Sequence, residues 1–497
     1  MRCFALLACV LCIHAQSPPR RELPESAAPI AGMTPFTADC AGNQTGTVYR
    51  NSAVEPFIAA DPGNPAHLVG VWQQDRWSNG GANGVLAAVS LNRGRTWTTS
   101  SPHFSLCTGG VWERASDPWV TISPDGTVHY AALGVNGAGA LTSVLVSRSS
   151  DGGLTWTEPI TVSAKAGEDK ESIVADPTDS HFVYTIWDNT AGDRIPVWFS
   201  RTTDGGLTWE APRVIYDPGK GGYATAHQMV VLPDGTLLDI FTLSFPAGNQ
   251  RTPVFVAVMR SSDHGATWST PRVVDTDQTV GAIDVKTKVG LRTGGGIPSS
   301  SVDPLSGAVY IVWSDSRFSG GLRDGVALVK SLDGGVTWTA PVQVNQVPQV
   351  QAFTPTVAAG TGGRVEVTYY DFRQDTSDKS TLLTNCWRAS SQDGGGSWSE
   401  TPLAGPFDIL SAPLAGAAPF IGDYQGMAAS GESFVAFFVA ANDGNADNPS
   451  SLFASASERP GNTRWTSGRT EINFLPQSLA GGRKGVPELP LSNKMKH

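Results

Sequence analysis

Stretches in which apolar and polar residues alternate, such as Val144-Leu-Val-Ser147, recur along the chain beside short apolar runs such as Val254-Phe-Val-Ala-Val258. A period of two puts one face of a strand on a core and the other toward a neighbour or solvent. Two kinds of turn signal separate these stretches. The first is built on Asp, Pro and Gly: Ala60-Asp-Pro-Gly-Asn-Pro65, Ser123-Pro-Asp-Gly126, Ala175-Asp-Pro-Thr-Asp179, Leu232-Pro-Asp-Gly235 and Val302-Asp-Pro-Leu-Ser-Gly307. The second is a box ending in Trp, with full copies at Ser149–Trp156, Thr202–Trp209, Ser261–Trp268, Ser331–Trp338 and Ser391–Trp398. Ser90-Leu-Asn-Arg-Gly-Arg-Thr-Trp97 is a variant of it, and a degenerate seventh copy ends at Trp465. In the box, Asp accepts backbone N–H bonds, Gly supplies positive φ, and Trp anchors the turn between neighbouring units.

Each repeat of about 60 residues therefore reads strand, turn, strand, longer loop, strand, box turn, strand. Seven such four-stranded units predict an all-β chain, a single β-propeller of seven blades spanning 46–476, with six as the fallback if the Trp465 unit adds only a closing strand. The box turns and the first turns share one face. The long polar loops fall on the other, where a concave site is expected.

Composition narrows the classes of partner. Of 497 residues only 16 % are charged, there are 15 Trp and 55 Gly, and 35 Lys+Arg against 45 Asp+Glu leave a net charge of −10. Few charges with many aromatics exclude a disordered chain. The acidic balance argues against nucleic acid. Met1-Arg2 followed by an apolar run to Ile13 reads as a signal peptide, residues 1–15, cleaved near Ala15, which predicts a secreted protein with no membrane span and a monomeric propeller. Residues 16–45 form an N-terminal extension and 477–497 a tail carrying Lys494 and Lys496. After cleavage Cys40, Cys107 and Cys386 remain, and Cys40–Cys107 is the favoured disulfide because these two flank the first repeat.

The candidate chemistry lies in the long loops. After the second strands come Asp75-Arg76, Trp187-Asp188, Asp315-Ser-Arg317 and Asp371-Phe-Arg373, and between units come Arg114-Ala-Ser-Asp117, Thr225-Ala-His227 and Gly422-Asp423-Tyr424. Asp75, Arg76, Arg114, Asp117, Asp315, Arg317, Asp371 and Arg373 are the expected substrate-binding set, because guanidinium groups from several units could converge on one carboxylate. His227, Asp423 and Tyr424 are the expected catalytic set. No cofactor is expected. The stretch Glu168-Asp-Lys-Glu171 could hold a structural Ca²⁺, although a solvated loop is the preferred reading.

The boxes resemble the Asp boxes, or BNR repeats, of sialidase-like propellers. The resemblance implies a glycoside hydrolase acting on an acidic oligo- or polysaccharide, with an arginine triad for the carboxylate, a Tyr nucleophile paired with Glu, and an Asp acid/base. The chain departs from that pattern. The opening Arg-Ile-Pro signature is absent, the loop Trp77-Ser-Asn-Gly-Gly-Ala-Asn-Gly84 has no carboxylate, His227 stands near the expected Glu, and Asp239–Phe245 lacks the following Arg. Two alternatives therefore stand beside the hydrolase: a uronate lyase using His or Tyr as base, and a non-catalytic glycan- or protein-binding propeller.

Overall fold

A computed structural model describes residues 29–245, 253–457 and 472–474. The expected signal segment, the Trp465 box and the tail 477–497 lie outside the described residues. The chain is all-β, with five single-turn 3-10 segments as its helical content among the described residues. No helix there is long and apolar enough to cross a membrane.

Each unit is an antiparallel meander, because short turns join strands whose apolar sides must stay in register. In the fourth unit Tyr223–Val231, Leu237–Ser244, Val254–Ser261 and Arg272–Thr276 pair in that order. The third, fifth and sixth units repeat it. The first two units are linked by the pairing of Ala82 with Ala115, and Ile472–Phe474 runs parallel to Trp97–Ser100. In the last unit Gly426–Ser430, Ser433–Ala441 and Ser450–Ala456 form a three-stranded sheet among the described residues, and the Trp465 box, after which a fourth strand is expected, lies outside them.

The first strands of successive units lie side by side. Val48–Ala60 contacts Arg114–Ile122, which contacts Glu168–Ala175; then follow Tyr223–Val231, Ser299–Val302, Ala352–Ala359 and Gly426–Ser430, which contacts Val48–Ala60 again. Apolar residues fill the spaces between sheets. One core cluster joins Ile58 and Trp72 of the first unit to Phe437 and Leu452 of the last. Trp97 packs on Phe437 at 5.7 Å between centroids, as Trp268 packs on Phe199 at 5.4 Å.

The box turns connect third to fourth strands and follow the predicted chemistry. Asp151 Oδ1 accepts from the N–H groups of Leu154 (3.1 Å) and Thr155 (2.9 Å), and the Ser149 hydroxyl donates to it at 2.7 Å. In the variant first copy Asn92 does the same for Arg95 and Thr96. A cation from the preceding unit clamps several boxes: Arg148 donates to Gly205 O (2.9 Å), Arg201 to His264 O (2.6 Å) and Lys330 to Gly394 O (2.8 Å). Hydrogen bonds led by the Thr208 and Thr267 hydroxyls lower Asp204 and Asp263 to about 2. A depressed folded pKa gives stability that is present above the unfolded value and lost as pH falls through the folded one. The melting temperature of the double variant Asp204→Asn/Asp263→Asn should accordingly fall less steeply than wild type between about pH 5 and 2. Equal slopes would contradict this role for the boxes.

The Cys40–Cys107 disulfide ties the N-terminal extension to the loop after the first unit, as expected, and Cys386 is buried with a free thiol.

Candidate functional site

Five of the inner strands share a local distortion. Register shifts fall between Val54 and Phe57, Ser116 and Trp119, Thr225 and Gln228, Phe353 and Thr356, and opposite Ile186 and Asp188. At these bulges Glu55, Asp117, Lys170, Ala226 and Thr354 take φ of 52°, 49°, 52°, 61° and 49°. A non-glycine residue in this region costs about 1–2 kcal/mol, and a bulge re-aims its side chain out of the strand alternation. Strain repeated at equivalent positions marks a functional ring.

Asp117, Lys170, Glu171, His227, Asp423 and Tyr424 line one cavity. Lys170 is its electrostatic centre, with Nζ 2.8 Å from Asp423 Oδ2 and 3.4 Å from Asp117 Oδ2. Asp423 is held on its other side by Arg292, whose Nε donates to Oδ1 at 3.0 Å and whose Nη2 reaches Oδ2. Burial works against charge on both partners. The two cations nevertheless keep Asp423 far below the usual carboxylate range, and Asp423 and Asp117 keep Lys170 well above the usual amine.

Glu171 has the opposite surroundings. It is fully buried, neither carboxyl oxygen has a hydrogen-bond partner, and burial followed by the charge of Asp117 pushes its pKa well up. These surroundings favour its protonated form. Burial, with the acidic groups around it adding to the effect, raises Tyr424 in the same way, so it stays a phenol; its hydroxyl donates to Pro118 O at 3.4 Å. Burial would lower His227, but Asp239, 3.0 Å from Nδ1, raises it overall, while Nε2 is buried without a partner.

The expected catalytic residues His227, Asp423 and Tyr424 thus meet in one place, together with Asp117. Arg76 lies just behind, donating to Gln73 Oε1 at 2.8 Å, and both Arg76 and Arg292 stack on Phe420, at 4.9 and 4.8 Å. The other expected arginines do not converge. Arg114 donates to Asn79 Oδ1, Gly80 O and Thr45 O and stacks on Trp77, fastening the N-terminal extension. Arg317 is consumed by Asp315 and Asp275, and Arg373 by Asp371, Glu400 and the Tyr369 hydroxyl. Asp75 accepts from Asn51 N and Asn83 Nδ2. Short local loops let each pair close within its own neighbourhood, which satisfies the charges before a distant ligand can.

Glu55, Lys170, Glu171 and Arg292 were not expected as site residues. The stretch Glu168-Asp-Lys-Glu171 is the start of the buried inner strand Glu168–Ala175 rather than a solvated loop. Among the described residues no group of three or more His, Cys, Asp or Glu is placed to hold a metal ion, Ca²⁺ included. A signal for the bulges was present in the sequence. Glu55 precedes Asp61, Asp117 precedes Ser123, Lys170 precedes Asp176, Ala226 precedes Leu232 and Thr354 precedes Gly360 by the same interval, six residues.

A repeated-sheet β protein with a buried acid–base pocket is the class these observations define. Residues 187–416 match the model of the BNR repeat-like domain. The chain is similar to a sialidase of Micromonospora viridifaciens, 26 % identical over 350 residues, covering 60 % of this chain and 50 % of that protein. It spans about half the length of that curated relative. Among solved structures, the Hadza microbial sialidase Hz136 aligns at 15 % identity with a TM-score of 0.44, over 79 % of this chain and 74 % of that one. The α-L-arabinanase of Penicillium chrysogenum aligns at 14 % and 0.46, over 69 % and 93 %. Residues 187–416 thus match a BNR repeat-like domain, and in its repeated boxes the chain is similar to sialidase-like BNR-repeat proteins.

Proposed function

We propose that the chain is an exported, monomeric, seven-bladed propeller that hydrolyses a carboxylate-bearing glycan in this central pocket. The observation that carries the reading is the meeting in one cavity of two carboxyl groups in contrasting surroundings: Glu171, buried with neither oxygen bonded, and Asp117, paired with Lys170. Two carboxyl groups set in different environments are what glycoside hydrolysis requires. Glu171 would protonate the leaving glycosidic oxygen as its bond to the anomeric carbon breaks, while Asp117 takes a proton from the water whose oxygen bonds to that carbon. Tyr424, kept as a phenol, would donate a hydrogen bond rather than attack. A lyase needs a deprotonated base, and the surroundings of His227 and Tyr424 shift both toward the protonated form, which favours the hydrolase.

Local charge supports an acidic substrate in a chain of net charge −10. With Glu55 and Glu171 neutral, three cations (Arg76, Lys170 and Arg292) face the two anions Asp117 and Asp423. Arg292 is 42 % exposed; its Nε and Nη2 are spent on Asp423, which leaves Nη1 to meet a ligand carboxylate. The first strands in mutual contact, the last touching the first, support the propeller, and the Cys40–Cys107 disulfide supports export to an oxidising compartment. The test compares cleavage of sialyl- and uronate-containing oligosaccharides with their carboxyl-reduced analogues. The expected result is cleavage of an acidic member and loss of at least about tenfold on reduction, for a charge-assisted contact of about 1.5–3 kcal/mol. Equal cleavage of both would remove the carboxylate from the reading. Binding without cleavage would replace the enzyme by a glycan-binding propeller.

A further inference from the structure

Behind the pocket, a single chain of hydrogen bonds runs from the last unit to the second through the first. The Asp423 N–H donates to Glu55 Oε1 at 3.3 Å, and Gln73 Nε2 donates to Glu55 Oε2. The same Gln73 amide donates to Ser116 Oγ at 3.2 Å, whose hydroxyl donates to Asp117 Oδ1 at 2.6 Å. Arg76 fixes the Gln73 amide from its oxygen side. The backbone of Glu55 adds a bond to Ile421 O at 3.3 Å, in the segment leading to Asp423. Glu55 is 1 % exposed and does not line the cavity.

We propose that Glu55 is a positioning residue, which through Gln73 and Ser116 sets the spacing of Asp117 in the second unit and Asp423 in the last across the first unit. The inference rests on the pocket reading above and adds to it a device that makes the site depend on pH. The charged groups facing Glu55 are Asp117 from the second unit, Asp423 from the last, Lys170 from the third, Arg76 beside it in the first, and Arg292 on the far side of Asp423. Burial comes first, then the two carboxylates, and together they outweigh the cations and raise Glu55 to about 8. Its negative form would put a third anion beside Asp117 and Asp423, loosening the spacing that the chain maintains.

A group whose acid pKa is raised on folding removes stability progressively as pH climbs from its unfolded value to its folded one. The test is the melting temperature of the full chain from about pH 5 to 9, for wild type, Glu55→Gln and Ser116→Ala. Glu55→Gln keeps the volume and an acceptor for Gln73 but cannot ionise, so its melting temperature should decline less than that of wild type between about pH 5 and 8. Ser116→Ala cuts the far end of the chain without touching Glu55. It should keep the wild-type pH dependence of melting while turnover of the acidic oligosaccharide falls about tenfold or more. Parallel melting profiles for wild type and Glu55→Gln would overturn the raised pKa of Glu55, and wild-type turnover in Ser116→Ala would overturn the positioning. Should no glycan be cleaved by any form, the hydrolase reading fails, and the melting profiles still decide the state of Glu55.

Discussion

Lys170→Met lowers the unfolding free energy by about 3–5 kcal/mol at pH 7, the range for removing one partner of a buried ion pair. The size follows from what remains. Asp117 and Asp423 lose the ammonium between them, with Asp169 and Glu55 also facing the vacated position. Arg292 still covers Asp423, so the uncompensated charge falls on the Asp117 side. The raised pKa of Lys170 means its contribution is complete below the unfolded amine value and is lost only as pH rises through the folded one, so pH 7 reads all of it. The deficit should shrink on acidification, as the orphaned carboxylates take up protons. Urea unfolding of both proteins at pH 7 and at about pH 5 measures this. A loss below about 1 kcal/mol, the range of a solvent-exposed pair, would mean that the pocket is not organised around Lys170.

The second large effect is on catalysis. Glu171→Gln removes the transferable proton while keeping the shape, and turnover should fall about 10²–10⁴-fold, the usual contribution of a positioned acid. Stability should move the other way. Because burial and Asp117 raise the wild-type acid, wild type loses stability as pH climbs above the unfolded carboxyl value, and the amide does not. The variant should therefore be relatively more stable at pH 8 than at pH 5. Comparing turnover of an acidic oligosaccharide with melting at these pH values separates the chemical effect from damage to the fold. Turnover above half of wild type in a well-folded Glu171→Gln would assign the proton to another group.

The repeat made the architecture readable and left the site only partly so. Box residues such as Asp151 and Asn92 make bonds confined to four or five neighbours, so their chemistry is local and visible in the sequence. Asp423 and Tyr424 were found because they stand in a loop flanked by Gly422 and Gly426, and His227 because it stands near the expected Glu, although it lies in the strand Tyr223–Val231. Arg317 and Arg373 misled for a physical reason. An arginine two residues after an aspartate can close onto it, and each does, at 2.9 and 2.6 Å. Lys170 and Glu171 were hidden inside a run of charges whose ordinary fate is solvation. Only the bulge, which buries that run at the head of an inner strand, reverses the expectation. Arg292 belongs to a segment without repeat character, and its partner Asp423 is 131 residues away, beyond any local signal.

The most direct test of the central pocket is a crystal structure of Glu171→Gln soaked with the acidic oligosaccharide that wild type cleaves. The expected result is sugar density bounded by Asp117, Lys170, Gln at position 171 and Tyr424, with the carboxylate toward Arg292. Density confined to the open groove beside Lys165, Asn189 and Trp198, with the central cavity empty at saturating ligand, would contradict it.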